Sequence, residues 1–513
     1  MVYQLPPALS IKNLDELPSS INPSGDDLSS KPKRTPSIDS DDHLDNFDDI
    51  LEYYVHSFGK YQLVQFLLLC IPTITVAMHV MSWTFVSLEI QESSIQNSTN
   101  TTEDDTNFSI GFKQDMNGKN SWMKATVQSL YYIGQMTGSY FCGVMGDKIG
   151  RKKVFYIAIV IQSLCGLLLC VAPNWWLFAI LKAGTGFSQP GIFGVAVVLG
   201  TELVGRRYRA LGSVAAGSFY AFGEIILAGL AYLIHDYRLL HLIISLPSIL
   251  FLSYWWLIPE SARWLISENR FQEADRILNK AAKMNGSHIP ENWWRKMESC
   301  AANKTSNSFS TLDLLRTREM RKRTLTCFFI WPVSTMMYYG LTMKSDIGGG
   351  NLYVNFALSG LMEIPSMILV YCLIDKVGRK PLVSMGLLTA GLCLIVNWIV
   401  GDSIPTYAAV MQTMIAKGAI TVAYTVMYTY TTELFPTILR NTAVGCCSTV
   451  ARIGAITSSC VALWLVDTYG KLTMVIPFCI LAILAAAACQ LLLPETNGKK
   501  LPESISEVEG NHI

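Results

Sequence analysis

Long apolar stretches dominate this sequence and decide what it can fold into. A helix needs about 20 mostly apolar residues to cross roughly 30 Å of hydrocarbon. Twelve stretches meet that need, at residues 62–88, 123–145, 153–172, 174–201, 210–234, 239–258, 324–344, 352–374, 382–400, 406–432, 442–466 and 472–493. Backbone groups in lipid must pair within the protein, so these spans read as helices. A membrane barrel would show strands of about ten residues with alternating polarity, and that alternation is absent. The expected fold class is an all-α membrane protein with twelve transmembrane helices. Only 15% of the 513 residues are charged and 51% are hydrophobic, against about 25% charged in a soluble domain. A single soluble globule and a predominantly disordered chain are both excluded. The net charge of +1 lacks the basic surplus of a nucleic-acid binder.

Lys and Arg in short loops set the orientation. They collect after the second, fourth, eighth and tenth spans, at Lys148, Arg151, Lys152 and Lys153, at Arg206, Arg207 and Arg209, at Lys376, Arg379 and Lys380, and at Arg440. These even-numbered connections are expected on the cytoplasmic side, with both termini. Residues 1–58 are polar and rich in Ser, Asp and Pro, and read as a disordered cytoplasmic tail. The bundles are expected at 59–258 and 324–493, with a further cytoplasmic tail at 494–513. Residues 89–121 form an outward loop with glycosylation acceptors at Asn97, Asn100 and Asn107. Such a loop fits a glycoprotein, expected at the plasma membrane. The cytoplasmic loop 259–323 contains an amphipathic helix near 267–284, with Phe271, Ala274, Ile277, Leu278 and Ala281 on one face. The thirteen cysteines avoid the outward loop, so no disulfide framework is supported.

The chain also repeats itself. Asp147-x-x-Gly150-Arg151-Lys152 recurs 228 residues later as Asp375-x-x-Gly378-Arg379-Lys380. Glu202 with Arg209 recurs as Glu433 with Arg440, and Pro259-Glu260-Ser261 as Pro494-Glu495-Thr496. Each half holds six spans. Two such repeats form pseudo-symmetric bundles with a binding site between them near the midplane, exposed alternately to either side.

Several of these segments carry a family likeness. Gly143-x-x-x-Asp147-x-x-Gly150-Arg151-Lys152 resembles the signature loop of the major facilitator superfamily. Pro259-Glu260-Ser261-Ala262-Arg263-Trp264-Leu265 and Pro494-Glu495-Thr496-Asn497-Gly498 resemble its sugar and organic-ion branch. Trp122-x-Lys124-Ala125-Thr126-Val127-Gln128-Ser129, Tyr339-Gly340-Leu341 and Glu433-Leu434-Phe435-Pro436-Thr437-x-x-Arg440-Asn441 look like solute carrier family 22, the organic-cation, organic-anion and carnitine transporters. The likeness covers roughly residues 45–503. It departs in the outward loop, usually cysteine-rich and larger in the family, and at Tyr371, where the first signature loop has Gly143.

Both copies of the motif read as a cytoplasmic gate of Asp147, Gly150, Arg151, Glu202, Arg209, Asp375, Arg379, Glu433 and Arg440. Asp147 is expected near a helix N-terminus and paired with an Arg, favouring the closed inner side. Charges inside spans are costly unless paired or hydrated; they are Lys182, Glu224, Glu363, Lys417 and Arg452. Lys182 and Lys417 are repeat-related, which suggests pairing more than substrate contact. The resemblance makes Arg452 the sharpest residue. Cation carriers tend to have an acid there, and anion and carnitine carriers an Arg, whose guanidinium can clasp a carboxylate. Glu363 matches an acid that cation carriers use; one Arg with one Glu suits a zwitterion, or the two neutralise each other. Met367 stands where anion carriers tend to have a Lys. Trp331, Tyr338 and Tyr339 in the seventh span, with Tyr424 and Thr425 in the tenth, match cavity positions, and aromatic faces attract organic cations.

No enzyme constellation and no nucleotide-binding loop is present in the sequence, and no cofactor or metal is expected. The expectation is an alternating-access transporter of small organic ions, with a zwitterionic or anionic, carnitine-like substrate. An organic-cation facilitator is the alternative, followed by a sugar porter, whose amide-rich cavity is not evident, or a membrane scaffold. The implied partners are the organic ion, the bilayer and a co-transported or exchanged ion of unassigned kind, with no nucleic acid.

Overall fold

The computed structural model describes residues 47–99, 120–205, 208–290, 293–294, 311–400, 403–436, 439–499, 502 and 505–509. Twelve long helical rods account for most of them. In the first bundle these are α1 (Lys60–Thr99), α2 (Trp122–Ile149), α3 (Arg151–Leu169), α4 (Trp175–Gln189, a π turn Pro190–Gly194, then Val195–Leu203), α5 (Arg209–Leu233) and α6 (Tyr237–Leu250, a 3-10 turn Phe251–Ser253, then Tyr254–Leu257). In the second they are α7 (Arg318–Met343), α8 (Leu352–Val377), α9 (Arg379–Val400), α10 (Thr406–Leu434), α11 (Arg440–Cys460, a π turn Val461–Leu465, then Val466–Tyr469) and α12 (Leu472–Leu492). The π turn in α4 begins at Pro190, which lacks the N–H an unbroken helix would use.

Eight rods are long and apolar enough to cross a membrane by length and composition alone. The other four are α2, α4, α7 and α10, which carry buried Gln128, Gln135, Lys182, Thr342 and Lys417. Their polar groups face protein, so neighbouring helices replace the apolar surface that a lipid-facing helix must supply. Small residues allow close approach. Gly134 and Gly138 of α2 lie against the carbonyls of Ala183 and Phe187 on α4, and Gly454 of α11 against that of Pro332 on α7, with no room for a Cβ. The bundles meet through two repeat-related seams, α2 with α11 and α5 with α8.

The outward loop begins later than expected, because α1 stays helical to Thr99. The backbone of Asn97 belongs to that helix; Asn100 and Asn107 lie outside the described residues. The disordered tail expected over residues 1–58 is corrected at its described end, residues 47–58. Phe47–Ile50 form a helical turn, and Leu51–Val55 continue it as a π turn. The reason is an apolar face: Ile50, Leu51 and Val55 bury against Leu278 and Ala281 of the amphipathic helix Phe271–Asn285. Asp48 pairs with Arg263, and Asn285 donates from Nδ2 to the Val55 carbonyl at 2.7 Å. The twelve described cysteines are all free.

Candidate functional site

Three helices of the second bundle build the central charge cluster. Lys417 on α10 and Glu363 on α8 are each about 1% exposed, and Lys417 Nζ lies 2.8 Å from Glu363 Oε1. Burying two ions is costly unless further hydrogen bonds complete the set. Here Lys417 also donates to Thr342 Oγ1 of α7 at 2.5 Å, and Tyr338 of α7 donates its hydroxyl to Glu363 Oε1 at 2.5 Å. The ammonium sits 3.5 Å from the centre of the Tyr338 ring. Glu363 is therefore neutralised by Lys417, and the alternative pairing of Glu363 with Arg452 does not form.

An aromatic wall continues from this cluster. The rings of Tyr338 and Tyr424 stack at 5.4 Å and 20°. Trp331 meets Tyr428 edge-on at 4.7 Å and Tyr424 at 6.2 Å, and its indole N–H donates to Thr431 Oγ1 at 3.1 Å. Thr425 is half-buried beside Tyr424 on α10. Tyr339 crosses to the first bundle, with its ring 5.0 Å from that of Tyr132.

Arg452 bridges the bundles from α11. Its Nη1 donates to Gln135 Oε1 of α2 at 3.1 Å, and Gln135 donates to Gln189 Oε1 of α4 at 2.7 Å. Tyr339 lies within its electrostatic reach, while the buried Nε has no partner among the described residues. The residue is 8% exposed, and no carboxylate pairs with it among those residues. A guanidinium held by a neutral amide keeps its charge available to an anion. The repeat-related lysine behaves differently from Lys417: Lys182 donates to the His79 carbonyl at 2.6 Å and to Ser82 Oγ at 2.7 Å.

At the signature-loop end, each bundle repeats one construction. Gly150 and Gly378 take φ of 107° and 100°, a region that favours glycine. Glu260 Oε1 then accepts from the Lys152 N–H at 2.9 Å, and Glu495 accepts from the N–H groups of Arg379 and Lys380 at 3.1 and 3.0 Å. These carboxylates satisfy unpaired donors at the starts of α3 and α9. Arg151 lies 3.1 Å from Asp147 and 3.7 Å from Glu202. Arg379 lies 3.0 Å from both Asp375 and Glu433. Glu202 and Glu433, the acids of the second repeated motif, thus pair with the signature-loop Arg of their own bundle. Arg440 lies within electrostatic reach of Glu433; Arg209 opens α5, and its side chain is outside the described set. The Asp147 side chain is 69% exposed; it lies in the last turn of α2 and pairs across Gly150 with Arg151, the first residue of α3.

Sequence reasoning missed Tyr428, Gln135, Gln189, Thr342 and the capping role of Glu260 and Glu495. Tyr428 follows Tyr424 at helical spacing, and the glutamates stand in the duplicated Pro-Glu-Ser/Thr motif, so those two signals were present.

Known proteins share this architecture. Residues 66–508 match the family described as Sugar (and other) transporter. The chain is 33% identical to the "Organic cation transporter protein" of Drosophila melanogaster, over 90% of this chain and 94% of that one. It is 35% identical to human "Solute carrier family 22 member 2" and 33% identical to human "Organic cation/carnitine transporter 2", each over 76% of this chain and 70% of the relative. Among solved structures, a partially occluded inward-open form of the xylose transporter XylE from E. coli shares the fold, with a TM-score of 0.66 at 15% identity over 86% of this chain and all of that one. The chain is a multi-pass membrane transporter of the major facilitator superfamily, and it belongs to the Sugar (and other) transporter family, in solute carrier family 22.

Proposed function

We propose that this transporter carries a small organic ion with a carboxylate, zwitterionic or anionic and carnitine-like, across the plasma membrane by alternating access. The observation that carries this reading is Arg452, a buried guanidinium at the bundle seam with no acidic partner among the described residues and an unpaired Nε. A substrate carboxylate would supply the missing counter-charge, while Tyr338 and Tyr424 offer faces to a cationic group. The substrate site comprises Arg452, Trp331, Tyr338, Tyr339, Tyr424 and Thr425, and Glu363 sets the charge of its far wall through Lys417. Asp147, Arg151, Glu202, Asp375, Arg379, Glu433 and Arg440, with Gly150 shaping the first loop and Arg209 opening α5, form the cytoplasmic gate. Both termini face the cytoplasm, and Asn97, Asn100 and Asn107 carry glycans on the outer side.

The organic-cation reading is the second, favoured by the aromatic wall and by the names of its relatives. Uptake of labelled carnitine, benzoate and tetraethylammonium into proteoliposomes separates the two. Uptake of the carboxylates should exceed that of tetraethylammonium, and Arg452→Asp should invert the order. Carboxylate uptake untouched by that substitution would end the clasp.

A further inference from the structure

Glu224 on α5 has no part in the arrangements above, yet it is a charge-bearing residue buried in the bundle seam with neither oxygen hydrogen-bonded among the described residues. It lies against Gly360 of α8, where a Cβ on that glycine would be 3.3 Å from the Glu224 Cβ. Glu224 therefore stands on the α5–α8 seam between the bundles. It is nine residues from the end of α5 at Leu233, and Gly360 is eight residues from the start of α8 at Leu352. Both positions belong to the half of the seam farther from the signature loops. That half is closed: Phe85 stacks on Tyr353 at 5.3 Å, and Tyr232 meets Tyr353 at 5.8 Å.

The surroundings of Glu224 leave it short of positive charge. Glu363 on α8 and Lys417 on α10 lie within its electrostatic reach. Tyr338 and Tyr339 on α7 and Tyr220 on its own helix also feel it. From α1, the residues met beside it at Gly223 are Ile74 and Ala77, which carry no charge. Two carboxylates thus face one ammonium, and Glu363 already holds that ammonium at 2.8 Å. A second ionised carboxylate, buried without a hydrogen bond and near a like charge, would cost several kcal/mol. A proton on Glu224 removes that cost.

We propose that Glu224 is a proton-binding site that must be occupied for the α5–α8 seam to close, so that transport is linked to external protons. When the seam parts, water reaches the carboxylate. A proton from external hydronium then forms an O–H bond on one Glu224 oxygen, a water molecule is left behind, and the neutral side chain lets the seam shut. This proposal rests on the alternating-access reading, with the half of the seam farther from the signature loops on the outer side. It adds a ligand, the proton, that the substrate site does not require.

The test is influx of labelled carnitine and tetraethylammonium into proteoliposomes, with internal pH clamped and external pH varied. Wild-type influx should fall severalfold as the outside becomes alkaline. E224Q, which mimics the protonated form, should hold the acid-side rate at every pH, and E224D should keep the fall. A flat wild-type profile overturns the proposal, and so does an E224Q profile with the wild-type slope. If E224Q does not reach the membrane, infrared spectra of purified wild-type protein decide. A protonated-carboxyl band at neutral pH supports the site, and its absence overturns it. If neither probe enters, the substrate reading falls separately, and the infrared measurement still decides the proton site.

Discussion

Glu363 on α8 holds the ammonium of Lys417 on α10 at 2.8 Å, with both side chains sealed from solvent. The pair fastens two helices of one bundle and fixes the charge of the wall next to Tyr338. Breaking a buried pair from one side leaves the other ion uncompensated, at a cost of about 3–5 kcal/mol. Glu363→Gln should therefore lower the thermal unfolding midpoint of the purified protein sharply. The double substitution Glu363→Gln with Lys417→Met should recover a large part of that loss. A double variant no more stable than the single one would show that the ion pair is not the source of the effect.

Arg452→Lys keeps the charge and discards the planar fork. If the guanidinium clasps a carboxylate with two hydrogen bonds, uptake of carnitine and benzoate should fall about tenfold, which corresponds to about 1.4 kcal/mol. Tetraethylammonium uptake should change little. Equal effects on all three would point to loss of the Gln135 contact between the bundles as the cause.

Gly150 and Gly378 can be probed against a built-in control. Alanine at Gly150 meets both a positive φ and the Glu260 carboxylate, and at Gly378 the Glu495 carboxylate. Strain of this kind costs roughly 1–3 kcal/mol. Gly143 has nothing within 4 Å of its would-be Cβ, so Gly143→Ala should be neutral or slightly stabilising, by up to about 1 kcal/mol. Unfolding midpoints and uptake rates for the three variants check this ordering.

Glu495→Gln removes a charged acceptor that serves the N–H groups of Arg379, Lys380, Thr496 and Asn497. Loss of a helix N-terminal acceptor costs about 0.5–2 kcal/mol. Because the same loop positions Arg379 against Asp375 and Glu433, uptake should fall more than the stability loss alone explains. Hydrogen exchange at the start of α9 should rise. Unchanged exchange there would show that the cap is dispensable.

Much of this protein was legible along the chain. Apolar stretches marked all twelve helices, and eight of these are long and apolar enough to cross lipid by themselves; the other four depend on neighbours that cover their polar groups. The duplicated loops marked the two bundles, and Arg452, Tyr338 and Tyr424 stood at positions that the family resemblance singles out. What the chain could not supply was partnership. Glu363 pairs with Lys417 and leaves Arg452 free; Glu202 turns to Arg151; Phe47–Val55 docks on the helix Phe271–Asn285. Lys182 and Lys417 occupy matching places in the repeat, yet only Lys417 found a carboxylate. Each of these outcomes depends on how far two helices are rotated and tilted against each other. Spacing within one helix says which residues share its face, and only the packing of helices distant in sequence decides what that face meets.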